Sequence, residues 1–203
     1  MNPRCVGMIG LGLLGSALVE RILASGITAV GFDVDAARCD EFTALGGRRV
    51  ESARNVASNC ARLIFSLPDH HVVESVFTEI GSELRAGLHI IDTTTGDPDF
   101  SAALGADLFR KGVHYLDATI SGSSEQVRRG DAIVMVGGQS EACEACADLF
   151  ACFARQWFHV GPWGSGAKMK LVTNLVLGLN RAALAEGLAF ARAYGLEIGR
   201  AHV

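Results

Sequence analysis

The feature that most restricts this chain is a glycine turn set between a strand and a helix. The apolar run Cys5–Ile9 leads into Gly10-Leu11-Gly12-Leu13-Leu14-Gly15, and the helical pattern Leu13–Ala24 follows. In a G-x-G-x-x-G turn the first glycine permits the tight bend. The second lets a pyrophosphate approach the backbone, and the third lets helix and strand pack closely. The anion then meets free N–H groups and the positive end of the helix dipole. A chain with 24 glycines in 203 residues can produce the pattern by accident, so its context matters. A second strand pattern, Ala29–Asp33, ends on an acid 21 residues after Gly12. A carboxylate there accepts from a ribose 2′-hydroxyl. The turn from Gly10 to Gly15 is therefore expected to bind a dinucleotide, with Asp33 on the ribose. Asp33 repels a 2′-phosphate and Val34 adds no positive charge, so NAD is expected over NADP, while Arg38 is near enough to leave NADP open.

Further strand patterns read at Leu63–Ser66, His89–Asp92, Tyr115–Asp117, Ile133–Val136 and Trp157–Val160. Helical patterns read at Ala36–Leu45, Pro98–Arg110 and Glu141–Phe153, the last with Ser140 as its N-cap. Alternating strands and helices imply right-handed crossovers. The expected fold class is thus α/β, a Rossmann-type doubly wound, mainly parallel sheet. After Gly161-Pro162-Trp163-Gly164-Ser165-Gly166 the strand signal ends, and Ala167–Tyr194 reads as one long helix rich in Ala and Leu. The domain boundary is therefore expected there. Residues 1–162 form the dinucleotide-binding domain, and 163–196 begin an all-helical second domain.

Net charge is −4, with no Lys/Arg block, which argues against nucleic acid or an anionic membrane as a partner. No apolar run reaches the ~18–20 residues of a spanning helix, and the start reads as no secretory signal. A cytoplasmic protein with its six cysteines reduced is expected. Cys143 and Cys146 make a C-x-x-C spacing, but they fall inside a helical pattern without a second ligand pair. They read as small hydrophobes, and no metal is expected.

Three later segments carry groups suited to chemistry. Asp92-Thr93-Thr94-Thr95-Gly96-Asp97-Pro98 follows a strand, at the sheet end where open α/β folds bind ligands. Asp117-Ala118-Thr119-Ile120-Ser121-Gly122-Ser123 also follows a strand, and its small residues can present N–H groups to a substrate carboxylate. In Gly166-Ala167-Lys168-Met169-Lys170-Leu171-Val172-Thr173-Asn174, Lys170 and Asn174 stand four apart and share a helix face, while Lys168 points elsewhere. A lysine partly removed from water can exchange protons with a hydroxyl or carbonyl oxygen. Each segment also has a plain structural reading: a helix cap, a turn and a solvated lysine. A non-catalytic dinucleotide-binding or interaction module on the same fold likewise stays open, because fold does not fix function.

Taken in order, GLGLLG, LP, DTTTGDP, DATISGS, GDAIVMVGG and GSGAKMKLVTN resemble the β-hydroxyacid dehydrogenase family, from Val6 to about Leu196. That family includes 3-hydroxyisobutyrate dehydrogenases, tartronate semialdehyde reductases and glyoxylate/succinic semialdehyde reductases. The resemblance implies a nicotinamide-dependent enzyme acting on a small carboxylate-bearing 3-hydroxy acid, its semialdehyde or its 2-oxo counterpart. It implies Lys170 as general acid/base and Asn174 as an orienting group. It also implies Ser121, Gly122 and the Ser123 amide as holders of the carboxylate, and Leu67, Pro68 and Thr95 on the nicotinamide side. The GSGAKMKL stretch is most similar to the glyoxylate/succinic semialdehyde reductase branch, whose members tend to use NADP, against Asp33. Thr119 and Ser123 stand where the family often has Pro and Gly, and Thr173 where many members have Asn. Related 6-phosphogluconate dehydrogenases usually carry His at that last position, so Thr173 argues against that sugar acid. Imine reductases of similar fold lack the lysine.

The resemblance further implies about another hundred residues of helical domain, which closes the cleft and usually builds a homo-oligomer. Residues 197–203 read as a non-native tail. The chain alone is expected to bind NAD, to expose an apolar helix and to show little turnover.

Overall fold

The computed structural model describes residues 5–197 and Gly199. The tail assigned to 197–203 lies, apart from Glu197 and Gly199, outside them, as does the stretch before Cys5. By contact the chain groups into two units that divide between Lys170 and Leu171.

The first unit is built on an eight-stranded sheet of order β3-β2-β1-β4-β5-β6-β7-β8. The strands are β1 (Cys5–Ile9), β2 (Thr28–Phe32), β3 (Arg48–Arg49), β4 (Arg62–Phe65), β5 (His89–Asp92), β6 (His114–Ser121), β7 (Ala132–Gly138) and β8 (Ala154–Gly161). Every neighbouring pair is parallel except β6 with β7, where Ser121 pairs with Ile133 and Leu116 with Gly138. The fold class read from the sequence is the one observed.

The strands are apolar along their length, and the pleat sends successive residues to opposite faces. Met8, Ile64, Ile91 and Leu116 face one core cluster, which α1 (Leu13–Ala24), α2 (Ala36–Ala44), α6 (Ser124–Arg128), α7 (Ser140–Glu144) and α8 (Ala147–Phe153) help to fill. Ile9, Leu63, Phe65, Ile90 and Tyr115 face the other, filled from α3 (Ala53–Asn59), α4 (His70–Ile80) and α5 (Pro98–Arg110). Carboxylate and hydroxyl caps start several helices: Asp35 accepts from the Ala37 amide, Ser52 from Asn55, Asp69 from Val72, and Asp97 from Asp99 and Phe100.

Three expectations need correction. The strand read as Tyr115–Asp117 runs on to Ser121, because β7 returns antiparallel beside it and supplies hydrogen-bond partners to its end. The helix read as Glu141–Phe153 is two, α7 and α8, interrupted at Ala145–Cys146. Ser140 is the first residue of α7 rather than its cap, which is Gln139 without a side-chain bond. Helices α3, α4 and α6 and the short edge strand β3 were not read from the sequence at all.

The second unit continues α9 (Ser165–Ala193), whose first residues belong to the first unit. Beyond Lys170 this helix shows apolar side chains on several sides, including Leu175 at 64% and Leu179 at 61% exposure. Among the described residues no helix is long and apolar enough to cross a membrane.

Candidate active site

The glycine turn has the geometry its sequence requires. Gly10 has φ +93°, and a Cβ there would collide with the Ser66 carbonyl oxygen. A Cβ on Gly15 would collide with the Gly10 carbonyl, so α1 and the end of β1 touch backbone to backbone. Gly12 differs. A Cβ there would meet nothing nearer than Arg38 Nη1, at 3.5 Å. Gly12 is the N-cap of α1, with extended backbone and no side-chain cap. The first amides of α1 are thus left to an outside acceptor, and Gly12 keeps the approach to them clear.

Asp33 lies just past the end of β2 and is 8% exposed. Its Oδ2 accepts from the Leu11 amide at 2.7 Å, and its Oδ1 from the Asp35 amide at 2.9 Å. Arg38 Nη1 stands 3.6 Å from Oδ2. The carboxylate therefore fixes the glycine turn, a duty the sequence reading did not foresee. Each of its oxygens still has lone-pair capacity for a further donor.

A cleft of about 630 Å³ opens at the carboxyl ends of β1, β2, β4 and β5. From the expected set, Gly10, Gly12, Leu13, Leu14, Asp33, Leu67, Pro68 and Thr95 border it. Leu11 and Gly15 do not. Leu11 turns its side chain into the core, 3% exposed, and offers only its amide to Asp33. Gly15 is spent on helix–strand contact. The residues after β5 form the opposite edge. Thr93 Oγ1 donates to the Phe65 carbonyl at 2.7 Å, and Thr94 Oγ1 accepts from the Leu67 amide at 3.2 Å. These bonds fix Leu67 beside Thr95. Asp92, fully buried, accepts from the Thr94 amide and the Tyr115 hydroxyl, and burial pushes its carboxyl up to about 6. The cleft also takes a wall from Val72 and Val76 of α4, which sequence reading missed. Asp69 as a cap and the apolar spacing Val73, Val76, Ile80 were the available signals.

At the far end of β6, Lys170 Nζ donates to the Ile120 carbonyl at 2.7 Å. The lysine is half-buried, and burial lowers its ammonium below the ordinary lysine value. Lys168 is exposed, 4.0 Å from Asp99 Oδ1, on another side of the helix. Asn174 lies one turn after Lys170 along α9, in the second unit. Ser121 closes β6 and Gly122 follows with φ +145°. Ser123 corrects one expectation. Its amide donates to Gln126 Oε1 at 2.9 Å, while its hydroxyl oxygen accepts from the Gln126 amide, a capping box that opens α6. The amide assigned to a substrate carboxylate is already in use.

Cys143 and Cys146 sit in the hydrophobic core at 1% and 0% exposure, and burial pushes their thiols up to about 11 and about 12. This is the setting of inert, small apolar side chains.

Residues 5–161 match the family described as the NAD binding domain of 6-phosphogluconate dehydrogenase. The chain is 31% identical to 2-(hydroxymethyl)glutarate dehydrogenase of Eubacterium barkeri over 195 residues, covering 95% of this chain and 65% of that protein. It is 30% identical to glyoxylate/succinic semialdehyde reductase 1 of Arabidopsis thaliana, covering 94% and 67% respectively. Among solved structures, a 3-hydroxyisobutyrate dehydrogenase of Mycobacterium tuberculosis with L-serine superposes with a TM-score of 0.91 at 25% identity, over 96% of this chain and 67% of that one. The chain thus spans about two thirds of the length of these relatives.

Proposed function

Because the chain belongs to the family of the NAD-binding domain of 6-phosphogluconate dehydrogenase, we propose that it is the cofactor-binding and proton-transfer part of an oxidoreductase. Its substrate is a small 3-hydroxy acid, or the corresponding semialdehyde or 2-oxo acid. The observation that carries this reading is the half-buried Lys170, its Nζ 2.7 Å from the Ile120 carbonyl, in a chain whose strand ends also border a cleft of about 630 Å³.

The residues of that cleft fit a nicotinamide dinucleotide. Gly12 leaves open space at an uncapped helix start for a pyrophosphate. Asp33 suits the adenosine ribose and favours NAD, while Arg38 beside it gives NADP some purchase. When bound, the nicotinamide ring supplies the hydride acceptor or donor. Lys170 moves the proton. In oxidation its neutral amine takes the proton of the substrate hydroxyl as the carbonyl forms, and in reduction its ammonium returns it. Burial helps by raising the neutral fraction at a given pH. Ser121 and Gly122 hold the carboxylate through backbone and hydroxyl donors. Ser123 joins them through its O–H, since its amide is committed to Gln126. Asn174 orients the substrate.

Six free thiols, five of them buried, support a reducing compartment such as the cytoplasm. The exposed Leu and Val side chains of α9 beyond Lys170 support further helical sequence or a second copy as their cover, and with it a homo-oligomer. Short hydroxy acids and semialdehydes should be screened for turnover with both cofactors. Lys170→Ala should lose whatever turnover that screen detects while NAD binding, followed by calorimetry, stays within a few-fold. Lys168→Ala should be far milder. A Lys170→Ala protein that keeps most of its kcat contradicts the assignment.

A further inference from the structure

The start of α9 is held by β6 as well as by bonds to its own neighbours. Asp117 and Thr119 stand two apart on the strand, so their side chains leave the same face, and both are buried, at 2% and 0% exposure. Asp117 Oδ1 accepts from the Gly164 amide at 2.9 Å, and Oδ2 from the Ala167 amide at 3.0 Å. Thr119 Oγ1 donates to the Gly166 carbonyl at 2.8 Å. Just before the helix, Trp163 Nε1 donates to the Tyr115 carbonyl, also at 2.8 Å. The strand residues 115, 117 and 119 thus engage 163, 164 with 167, and 166. Strand and helix meet closely here. A Cβ on Gly166 would collide with the Asp117 and Met135 carbonyls, and one on Gly137 with the Asp117 carboxylate.

An α-helix advances 1.5 Å and turns 100° per residue. Fixing residues 164–167 therefore fixes the height and direction of residue 170, less than one turn on. The bond from Lys170 Nζ to the Ile120 carbonyl is made one residue past Thr119 on the same strand.

We propose that Asp117 and Thr119 form a clamp on the first turn of α9 that holds Lys170 Nζ against the Ile120 carbonyl, and that both are positioning residues for proton transfer. The inference rests on the reading of Lys170 as the proton-transfer group. Thr119 contributes a hydroxyl donor without charge. Asp117 contributes a carboxylate at a helix start, where anions are favoured.

The three lysines of the chain, Lys111, Lys168 and Lys170, make the test direct. In chain labelled with 13C-lysine, each Cε resonance is followed against pH and assigned by Lys→Arg replacement. Lys170 should titrate below the ordinary lysine value, in the direction burial drives it. Thr119→Val keeps the shape but loses the donor, and should move the Lys170 midpoint back up toward the ordinary lysine value. Thr119→Ser should restore the original midpoint. Asp117→Asn separates two roles by sign. Removing a nearby negative charge by itself lowers an ammonium pKa, whereas loss of the clamp raises it, and a rise is expected. An unshifted Lys170 in the unmodified chain contradicts the proton-transfer reading and the clamp with it. A shifted Lys170 that ignores Thr119→Val, or moves down in Asp117→Asn, contradicts the clamp alone. Should Asp117→Asn fail to fold, the Thr119 pair decides the matter.

Discussion

The glycine turn and the lysine helix are built on the same device and differ in how far it reaches. In each, a buried aspartate accepts two backbone amides and fixes a helix start. Asp33 holds Leu11, 22 residues away, and Asp35. Asp117 holds Gly164 and Ala167, 47 and 50 residues away. The first device is local and comes with a spacing that any Rossmann turn must obey. The second joins parts of the chain more than twice as far apart along the sequence. A ligand-binding turn is thus specified by the sequence around it, while the placement of a reactive side chain depends on the assembled fold.

Breaking the local device at its tightest point should have the largest effect. Gly15→Ala places a methyl group inside the Gly10 carbonyl, so α1 must move off β1. A loss of about 4 kcal/mol, on the order of 10 °C in Tm, is expected in thermal unfolding. An unchanged Tm would mean that the close approach is not rigid.

Next comes Asp33→Ala, which takes the acceptor from two backbone amides as well as from the ribose. Stability should fall by about 3 kcal/mol. NAD should bind more weakly, and the preference for NAD over NADP in binding affinity should shrink. Equal use of NADP by the unmodified protein, or an Asp33→Ala variant with unaltered NAD affinity, would overturn the role given to this carboxylate.

A third buried aspartate sharpens the contrast, since Asp92 holds a loop rather than a helix. Its folded pKa of about 6 lies above the ordinary 3.8 because burial disfavours the charge. Above pH 6 the group is ionised in both folded and unfolded chains, and the folded state carries the burial penalty. Below pH 4 it is protonated in both and the penalty is gone. Asp92→Asn should therefore stabilise the protein above pH 6 by about 2 kcal/mol, once a lost hydrogen bond is allowed for. That gain should fade as pH falls toward 4. Chemical denaturation at pH 7.5 and pH 4 measures both, and a gain that persists at pH 4 would refute the electrostatic origin.

What could be read from the sequence follows the same division. The bounds of α1 and α5 were legible because Gly12 and the Asp97-Pro98 pair mark their starts. The Asp33 spacing was legible for the same local reason. The length of β6 was not, since its last residues owe their strand form to pairing with β7. Nor was the break between α7 and α8, where no Gly or Pro stands. The Ser123 capping box was legible in principle, as Ser123-Ser124-Glu125-Gln126 has the required spacing. The same serine also suits a carboxylate, so its spacing alone does not decide between the two roles. Lys170 could be singled out by its spacing from Asn174. Its contact with Ile120, 50 residues away, could not.

The most direct measurement is NAD titrated by calorimetry into the chain and its Gly12→Ala variant. Gly12 has φ −65°, and a Cβ there would make only an ordinary contact with Arg38 Nη1, so alanine fits the folded protein without strain. Its only fault is a methyl group where a pyrophosphate must approach the α1 amides. The glycine-turn site predicts an unchanged Tm and NAD affinity weakened at least tenfold, about 1.4 kcal/mol. Equal NAD affinity in the two proteins, both folded, would contradict a cofactor site at this turn.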